Sequence, residues 1–281
     1  MTIRKMTPSD IRFALDLTNA EGWVGETRDV FEAFLAYDPA GCFIAEHDAR
    51  EVGVCVATRY RTSGFIGELI VVKDMRGLGY GRKLFECSIR YLKSHGIENI
   101  YLDGDLDAVP FYETIGFRKI CRSLRFVGRL AGRRNGLIRN AGPEDTDVVC
   151  GIDRDLYGDD RGFFLRRRLE LFSRLNLVLE IDGRLCGYIM AHPGNGVLSV
   201  GPWAVFDCQE KAKLLLEAAA SEAGGQPLRI GVLESSTAAV DLIESIGSFE
   251  EQTPCWRMGL GPSSAIGGDD RLYAIGSAAK G

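Results

Sequence analysis

The chain has 281 residues, room for about two domains of ordinary size, and its 34 Lys and Arg against 39 Asp and Glu leave a formal net charge of −5. That acidic balance excludes a binder of nucleic-acid phosphates, which needs a basic excess. Hydrophobic residues at 46% and charged residues at 26% exclude intrinsic disorder, and no apolar run approaches the roughly 18 residues that span a bilayer.

Met1–Pro8 lacks the apolar stretch of a signal peptide. Cysteines at 42, 55, 87, 121, 150, 186, 208 and 255 never form Cys-x-x-Cys and read as free thiols. Histidines 47, 95 and 192 are not paired at helical spacing, so no metal site is expected. The expectation is a cytoplasmic protein with neither nucleic acid nor membrane as partner; a homo-oligomer is compatible with the sequence.

In chain order, Thr7-Pro8-Ser9-Asp10 starts a helix, with a Thr cap, Pro at the first helical position and an acid in the first turn. Thr27 opens a second, carrying Val30, Phe31, Phe34 and Leu35 at helical spacing. Cys42–Glu46 and Val52–Thr58 have strand composition, with Asp48 and Arg50 in the turn between them. Leu69–Val72 is a short apolar run typical of a strand buried on both faces. Leu84, Phe85, Ile89 and Leu92 mark one face of a helix ending at Gly96. Ile100–Asp103 reads as a strand, Val109–Ile115 as a short helix stopped by Gly116, and Phe117–Val127 as a final extended stretch.

Gly128–Gly136 is glycine-rich, basic and without periodicity, which marks a linker. The remainder of the chain reads as a second copy of the first part. Glu51-Val-Gly53-Val-Cys-Val-Ala57 aligns with Arg184-Leu-Cys-Gly187-Tyr-Ile-Met-Ala191, and Ile115-Gly-Phe117 with Ile246-Gly-Ser248. Each copy has two helices, a strand hairpin, a strand, a helix, a strand and a short helix.

Arg76-Gly-Leu-Gly79-Tyr-Gly81 lies between the apolar strand and the amphipathic helix. Free N–H groups at a helix N-terminus form an anion site, and glycine admits a pyrophosphate without a Cβ in the way. Alone, the motif is weak evidence and also reads as a tight turn with no ligand; the Rossmann and P-loop signatures are both absent. About thirty residues on comes Val109-Pro-Phe-Tyr112-Glu-Thr-Ile-Gly116-Phe117. The order of strand, Arg-x-x-Gly-x-Gly, helix, strand and Phe-Tyr-Glu-x-x-Gly-Phe resembles the GNAT acetyltransferase superfamily. The resemblance takes in Gly22-Trp23 and Asp38-Pro-Ala-Gly-Cys-Phe43, and the second half looks like the degenerate partner of a tandem GNAT group. It implies an α/β (α+β) fold of two tandem GNAT-like domains, each a twisted mixed β-sheet flanked by helices. The expected division is 1–128, a linker at 129–136, and 137–281.

What the resemblance implies for the site is specific. Main-chain groups of Leu69, Ile70 and Val71 would hold the pantetheine arm and thioester of acetyl-CoA. Gly77, Leu78, Gly79, Tyr80, Gly81 and Arg82 would surround the pyrophosphate, with Arg76 opening the motif. Tyr112 matches the tyrosine that protonates the departing thiolate; its other reading is an aromatic on the core face of a short helix. Asp105 stands where many members carry a pantetheine-binding Asn, placed in an Asp103–Asp107 loop, and could equally cap a helix. Glu68, before the CoA strand, is the candidate base, or else an exposed or structurally paired carboxylate.

The expected activity is acetyl-CoA-dependent N-acetyl transfer, made directly to a primary amine of a small molecule or peptide. No Cys/His pairing points to a cysteine intermediate, and Cys87 reads as core. The alternative is a non-catalytic acyl-CoA sensor or scaffold; a nucleotide-binding module is weaker. The second half is expected not to bind CoA. Asp207 and Glu210 would cap the helix where the first half has glycines, and Ile243 stands at the place of Tyr112.

Overall fold

The computed structural model describes residues 2–206, 209–262 and 266–281, the side chain of Gln209 excepted. The first half runs β1 (Thr2–Lys5), α1 (Ile11–Ala20), α2 (Arg28–Tyr37), β2 (Cys42–His47), β3 (Arg50–Arg59), β4 (Ser63–Val71), α3 (Tyr80–Ser94), β5 (Asn99–Asp105), α4 (Val109–Glu113) and β6 (Arg118–Gly128). The second repeats that order as β7 (Ile138–Asn140), α5 (Thr146–Tyr157), α6 (Gly162–Leu171), β8 (Leu177–Ile181), β9 (Arg184–Pro193), β10 (Leu198–Val205), α7 (Ala212–Glu222), β11 (Leu228–Leu233), α8 (Thr237–Ile246) and β12 (Phe249–Leu260), and adds β13 (Leu272–Ala274).

Local chemistry repeats as well. The Thr7 N–H and hydroxyl donate to Asp10 at 2.7 and 2.8 Å, closing the turn before α1. Arg4 then grips both oxygens of Asp10 and reaches Glu46 on β2. Arg139, Asp145 and Glu180 reproduce the same triangle in the second half. α3 buries Leu84, Phe85, Ile89 and Leu92 on the sheet, as its periodicity predicts, and the chain leaves it through Gly96 at φ +77°.

The described strands form one sheet in the order β1-β2-β3-β4-β5-β12-β6-β11-β10-β9-β8-β7, with β13 against β10. The two halves have therefore exchanged their last long strands. β12 lies antiparallel to β5, and β6 lies between β12 and β11. Residues 129–135, in the expected linker, have no regular structure. The exchange corrects one expectation: β5 runs on past Asp103, so that Gly104 and Asp105 belong to it rather than to a loop, because β12 pairs along its whole end, Arg257 opposite Asp103 and Cys255 opposite Asp105.

Asp103 joins the exchanged strands. Its carboxylate is wholly buried and accepts from Arg257 Nε on β12 at 2.5 Å, and from Arg125 Nη2 and Ser123 Oγ on β6 at 3.1 and 2.8 Å. The halves meet again where Asp159 accepts the main-chain N–H groups of Arg61, Thr62 and Ser63, fixing the β3–β4 hairpin. No helix among the described residues is long and apolar enough to cross a membrane.

Removing one member of a buried ion network costs about 3–5 kcal/mol, because the remaining charge is stranded. Asp103→Asn is expected to lower stability by about that much in urea unfolding. The two guanidiniums hold the Asp103 carboxyl below its ordinary value despite burial. Its contribution is therefore complete above the ordinary carboxylate range of about pH 4, and is lost as pH falls through the depressed value. An unfolding midpoint unchanged in Asp103→Asn would mean the network stabilises nothing.

Candidate active site

β4 and β5 pair in parallel only at Ser63–Asn99, Gly64–Ile100 and Phe65–Tyr101, and then part. The cause lies on the other edge of β4. Val54 pairs with Ile70 but Val56 with Gly67, so β4 carries one extra residue there. That irregularity falls at Glu68, whose φ of +55° is unusual for a side chain with a Cβ. Glu68 therefore sits inside β4, a correction to its expected place before the strand. Beyond it Leu69, Ile70 and Val71 keep to the β3 side while their β5 edge stays open.

The turn into α3 lies at the mouth of this gap. Gly77 and Gly79 have φ of +77° and +86°, and the space beside each, where a Cβ would stand, is open. Among the described residues, the N–H groups of 77–82 find no main-chain acceptor, which leaves six donors without a main-chain partner at a helix N-terminus. The side chains nearby do different things. Arg76 donates to the Val71 carbonyl at 2.9 Å and pairs with Glu21 at 2.5 Å, bracing the turn from below. Tyr80 points inward, its hydroxyl 2.8 Å from His47 Nδ1. Arg82 donates to Thr114 Oγ1 and lies over the Phe111 ring. Leu78 is 63% exposed.

Tyr112 closes the gap from the α3 side. Its ring lies over β5 at Gly104, where a Cβ would come within 2.7 Å of it, and touches Phe85, Phe111 and Phe117. It is thus a core aromatic by its ring. Its hydroxyl makes no hydrogen bond among the described residues, and burial raises the phenol above its ordinary value, so it stays a proton donor. Asp105 accepts from Cys255 Sγ at 3.2 Å and makes no side-chain cap on the turn after β5. Burial pushes the thiols of Cys55 and Cys255 up to about 12, which leaves neither as a nucleophile at neutral pH.

On the opposite face Glu68 is 2% exposed, and neither of its oxygens meets a donor. Burial, and then the carboxyl of Glu26, raise its pKa well above the ordinary value. Sequence reasoning missed Glu26, which stands in the turn between α1 and α2 with no motif to mark it. Beside this pair is a cavity of about 30 Å³ between the halves, lined by Glu26, Arg125, His192, Ser199, Arg229 and Lys280 among others. Burial and the Arg168 charge push His192 well below its ordinary value, so its imidazole is neutral.

The second half builds the same gap and fills it. β10 shifts register against β9 between Val200 and Trp203, and pairs with β11 only at Leu198–Val200. β13 then occupies the opening: Trp203 pairs with Ala274 and Ala204 with Leu272, and the Ile275 N–H donates to the Gly231 carbonyl of β11. Ile243, at the place of Tyr112, is fully buried. Asp207, expected to cap the corresponding helix, lies outside the described residues. No group of three or more potential metal ligands occurs among the described residues.

Comparison with known proteins agrees with this geometry. The Acetyltransferase (GNAT) family matches residues 10–117, and an Acetyltransferase (GNAT) domain matches residues 149–274. N-alpha-acetyltransferase 30 of Schizosaccharomyces pombe is 31% identical over 105 residues, which are 34% of this chain and 70% of that protein. Mycothiol acetyltransferase of Thermobispora bispora is 34% identical over 93 residues, 30% of this chain and 32% of its own. A solved structure from Pyrococcus horikoshii covers 100% of this chain and 95% of its own at a TM-score of 0.83, with 24% identity. The tandem GNAT protein from the clavulanic acid biosynthesis pathway covers 94% of this chain and 99% of its own at 0.67, with 15% identity. Two matched domains, one with an open gap and one with a filled gap, make this chain a tandem member of the GNAT acetyltransferase family, and an acyltransferase.

Proposed function

We propose that the first half transfers an acetyl group from acetyl-CoA directly to a primary amine. In this reading 1–128 supplies the reacting groups, and 137–281 supports and shapes the acceptor side. The observation that carries it is the irregularity in β4, which opens the gap and puts Glu68 on one face of it while Tyr112 stands on the other. The N–H groups of 77–82, without main-chain acceptors among the described residues, and the open space at Gly77 and Gly79 suit a pyrophosphate. When bound, acetyl-CoA supplies an activated acyl carbonyl and a thiolate leaving group. Main-chain N–H groups of Leu69–Val71 on the open edge stabilise negative charge on the carbonyl oxygen. Glu68 takes the proton of the amine, and its raised pKa makes it a stronger base than an exposed carboxylate. Tyr112 gives its proton to the sulfur. Relatives named as N-alpha- and mycothiol acetyltransferases support an amine acceptor, peptide or small molecule.

A second reading, an acyl-CoA sensor without turnover, has one observation in its favour: residues 275–278 and 280 line the cavity beside Glu26. Release of CoA thiol in the presence of a panel of amines separates the two.

Tyr112→Phe should lower turnover about 10²-fold with CoA affinity nearly intact; an unchanged chemical step would return Tyr112 to the core alone. Glu68 acts as a base only when deprotonated. Activity should therefore rise with pH through a value well above the ordinary carboxylate range of about 4, and Glu68→Gln should remove that limb. A limb kept in Glu68→Gln would assign the base elsewhere. Calorimetric titration should find one CoA per chain, since β13 fills the second gap; two sites would overturn that.

A further inference from the structure

The segment after β13 crosses from the second half onto the acceptor side of the first. Ala279 lies directly on Gly67, the residue before Glu68; a Cβ at Gly67 would come within 2.5 Å of the Ala279 carbonyl oxygen. The Tyr60 hydroxyl holds the next residue by donating to the Lys280 carbonyl at 2.5 Å. From there the Lys280 side chain enters the interior, 6% exposed, with Nζ 4.8 Å from the centre of the Phe34 ring and 5.6 Å from that of Phe164. It lines the same cavity as Glu26. Nζ makes no hydrogen bond or ion pair among the described residues, although it lies within electrostatic reach of Glu26, Glu68 and Asp29. The other lysines, at 5, 73, 83, 93, 119, 211 and 213, are at or near the surface. The chain thus presents one buried amine beside the carboxyl pair, on the side where an acceptor must enter.

We propose that Lys280 is itself an acetyl acceptor, the chain transferring one acetyl group from acetyl-CoA to its own ε-amine. The inference rests on the roles proposed for Glu68 and Tyr112 in transfer to an added amine. The Nζ lone pair forms a C–N bond at the thioester carbonyl, and the C–S bond breaks. The nitrogen's proton passes to the Glu68–Glu26 carboxyl pair and the thiolate takes one from Tyr112, leaving Nε-acetyl-lysine and CoA. The surroundings prepare the amine for this. Burial and the nearby Arg168 charge lower its pKa to about 8, so a neutral, nucleophilic fraction exists near neutral pH. The two rings stabilise the cationic form without using up a hydrogen-bond site.

The test incubates the full chain with isotopically labelled acetyl-CoA and no added amine. It reads intact mass, CoA thiol released, and the labelled position by peptide mapping. The expected result is one acetyl per chain, on Lys280, with one thiol released for each. In Tyr112→Phe the labelling should be slower by about 10²-fold. Uncatalysed acetylation would instead mark the surface lysines first, at a rate Tyr112→Phe does not change, and that pattern overturns the proposal. The peptide map of the unaltered chain decides this without a variant; Lys280→Arg, if it folds, should bind CoA by calorimetry and take no label. An unlabelled Lys280 in a chain that still acetylates an added amine sinks this inference and leaves the proposed function standing. Absence of both CoA binding and thiol release with every amine sinks the two together.

Discussion

A single carboxylate, Asp103, sits between guanidiniums that arrive from two different strands, and the architecture turns on it. Three charges in a place without solvent would be costly, and the cost is offset only because the hydrogen bonds reach both oxygens of the carboxylate. Arg257 comes from β12 and Arg125 from β6, so the network forms only when the last strands of the two halves have changed places. Asp103 lies on β5, one wall of the gap between β4 and β5. The second half thereby fixes the position of that wall and supplies the neighbour of Asp105, Cys255. The gap between β4 and β5 lies in the first half, but its geometry belongs to the whole chain.

The two gaps show how a duplicated fold can keep its shape while one of its openings is filled. Both begin with a register shift on the middle strand and a parallel pairing of three residues. A gap of that kind leaves main-chain donors and acceptors unpaired inside the protein, and they need partners. In the second half β13 and its flanks provide them, with the Val205 N–H donating to the Arg271 carbonyl and the Ile275 N–H to that of Gly231. In the first half no strand of the described chain does so beyond Phe65 and Tyr101. One opening is thus closed by the chain's own strand, and the other is left without a strand partner among the described residues.

Much of the fold was legible in the sequence, and the exceptions have physical causes. The apolar run at 69–72, the glycines before α3 and the periodicity of Leu84, Phe85, Ile89 and Leu92 gave the strand, turn and helix in the right order. The landmarks around Gly53 and Gly187 gave the repeat. The strand exchange was not legible because β6 and β12 are copies of one element. Either could complete either half, and the choice lies in the pairing of Asp103 with Arg257, not in a periodicity. The full length of β4 was hidden because Gly64 and Gly67 dilute its strand signal. Gly104 and Asp105 read as a turn since acidic residues with a glycine favour turns, and only the partner strand overrides that preference. Glu26 and Lys280 carry no motif at all; what makes them notable is where the chain brings them.

That placement sets the charge around Glu68. Two carboxyls close together and out of water cannot both ionise cheaply, so Glu68 holds its proton to a higher pH than an isolated glutamate would. A cation nearby works the other way, and Lys280 is the cation that this chain supplies. The pair is thus at its most acidic while a positive amine is present. It becomes a better proton acceptor as that amine loses its proton or its charge. A protonated Lys280 favours the ionised carboxylate, and a neutral one no longer holds it in that form. Burial itself works against that charged pairing, since it raises the Glu68 carboxyl and lowers the Lys280 amine, and so favours the neutral pair over the ionised one.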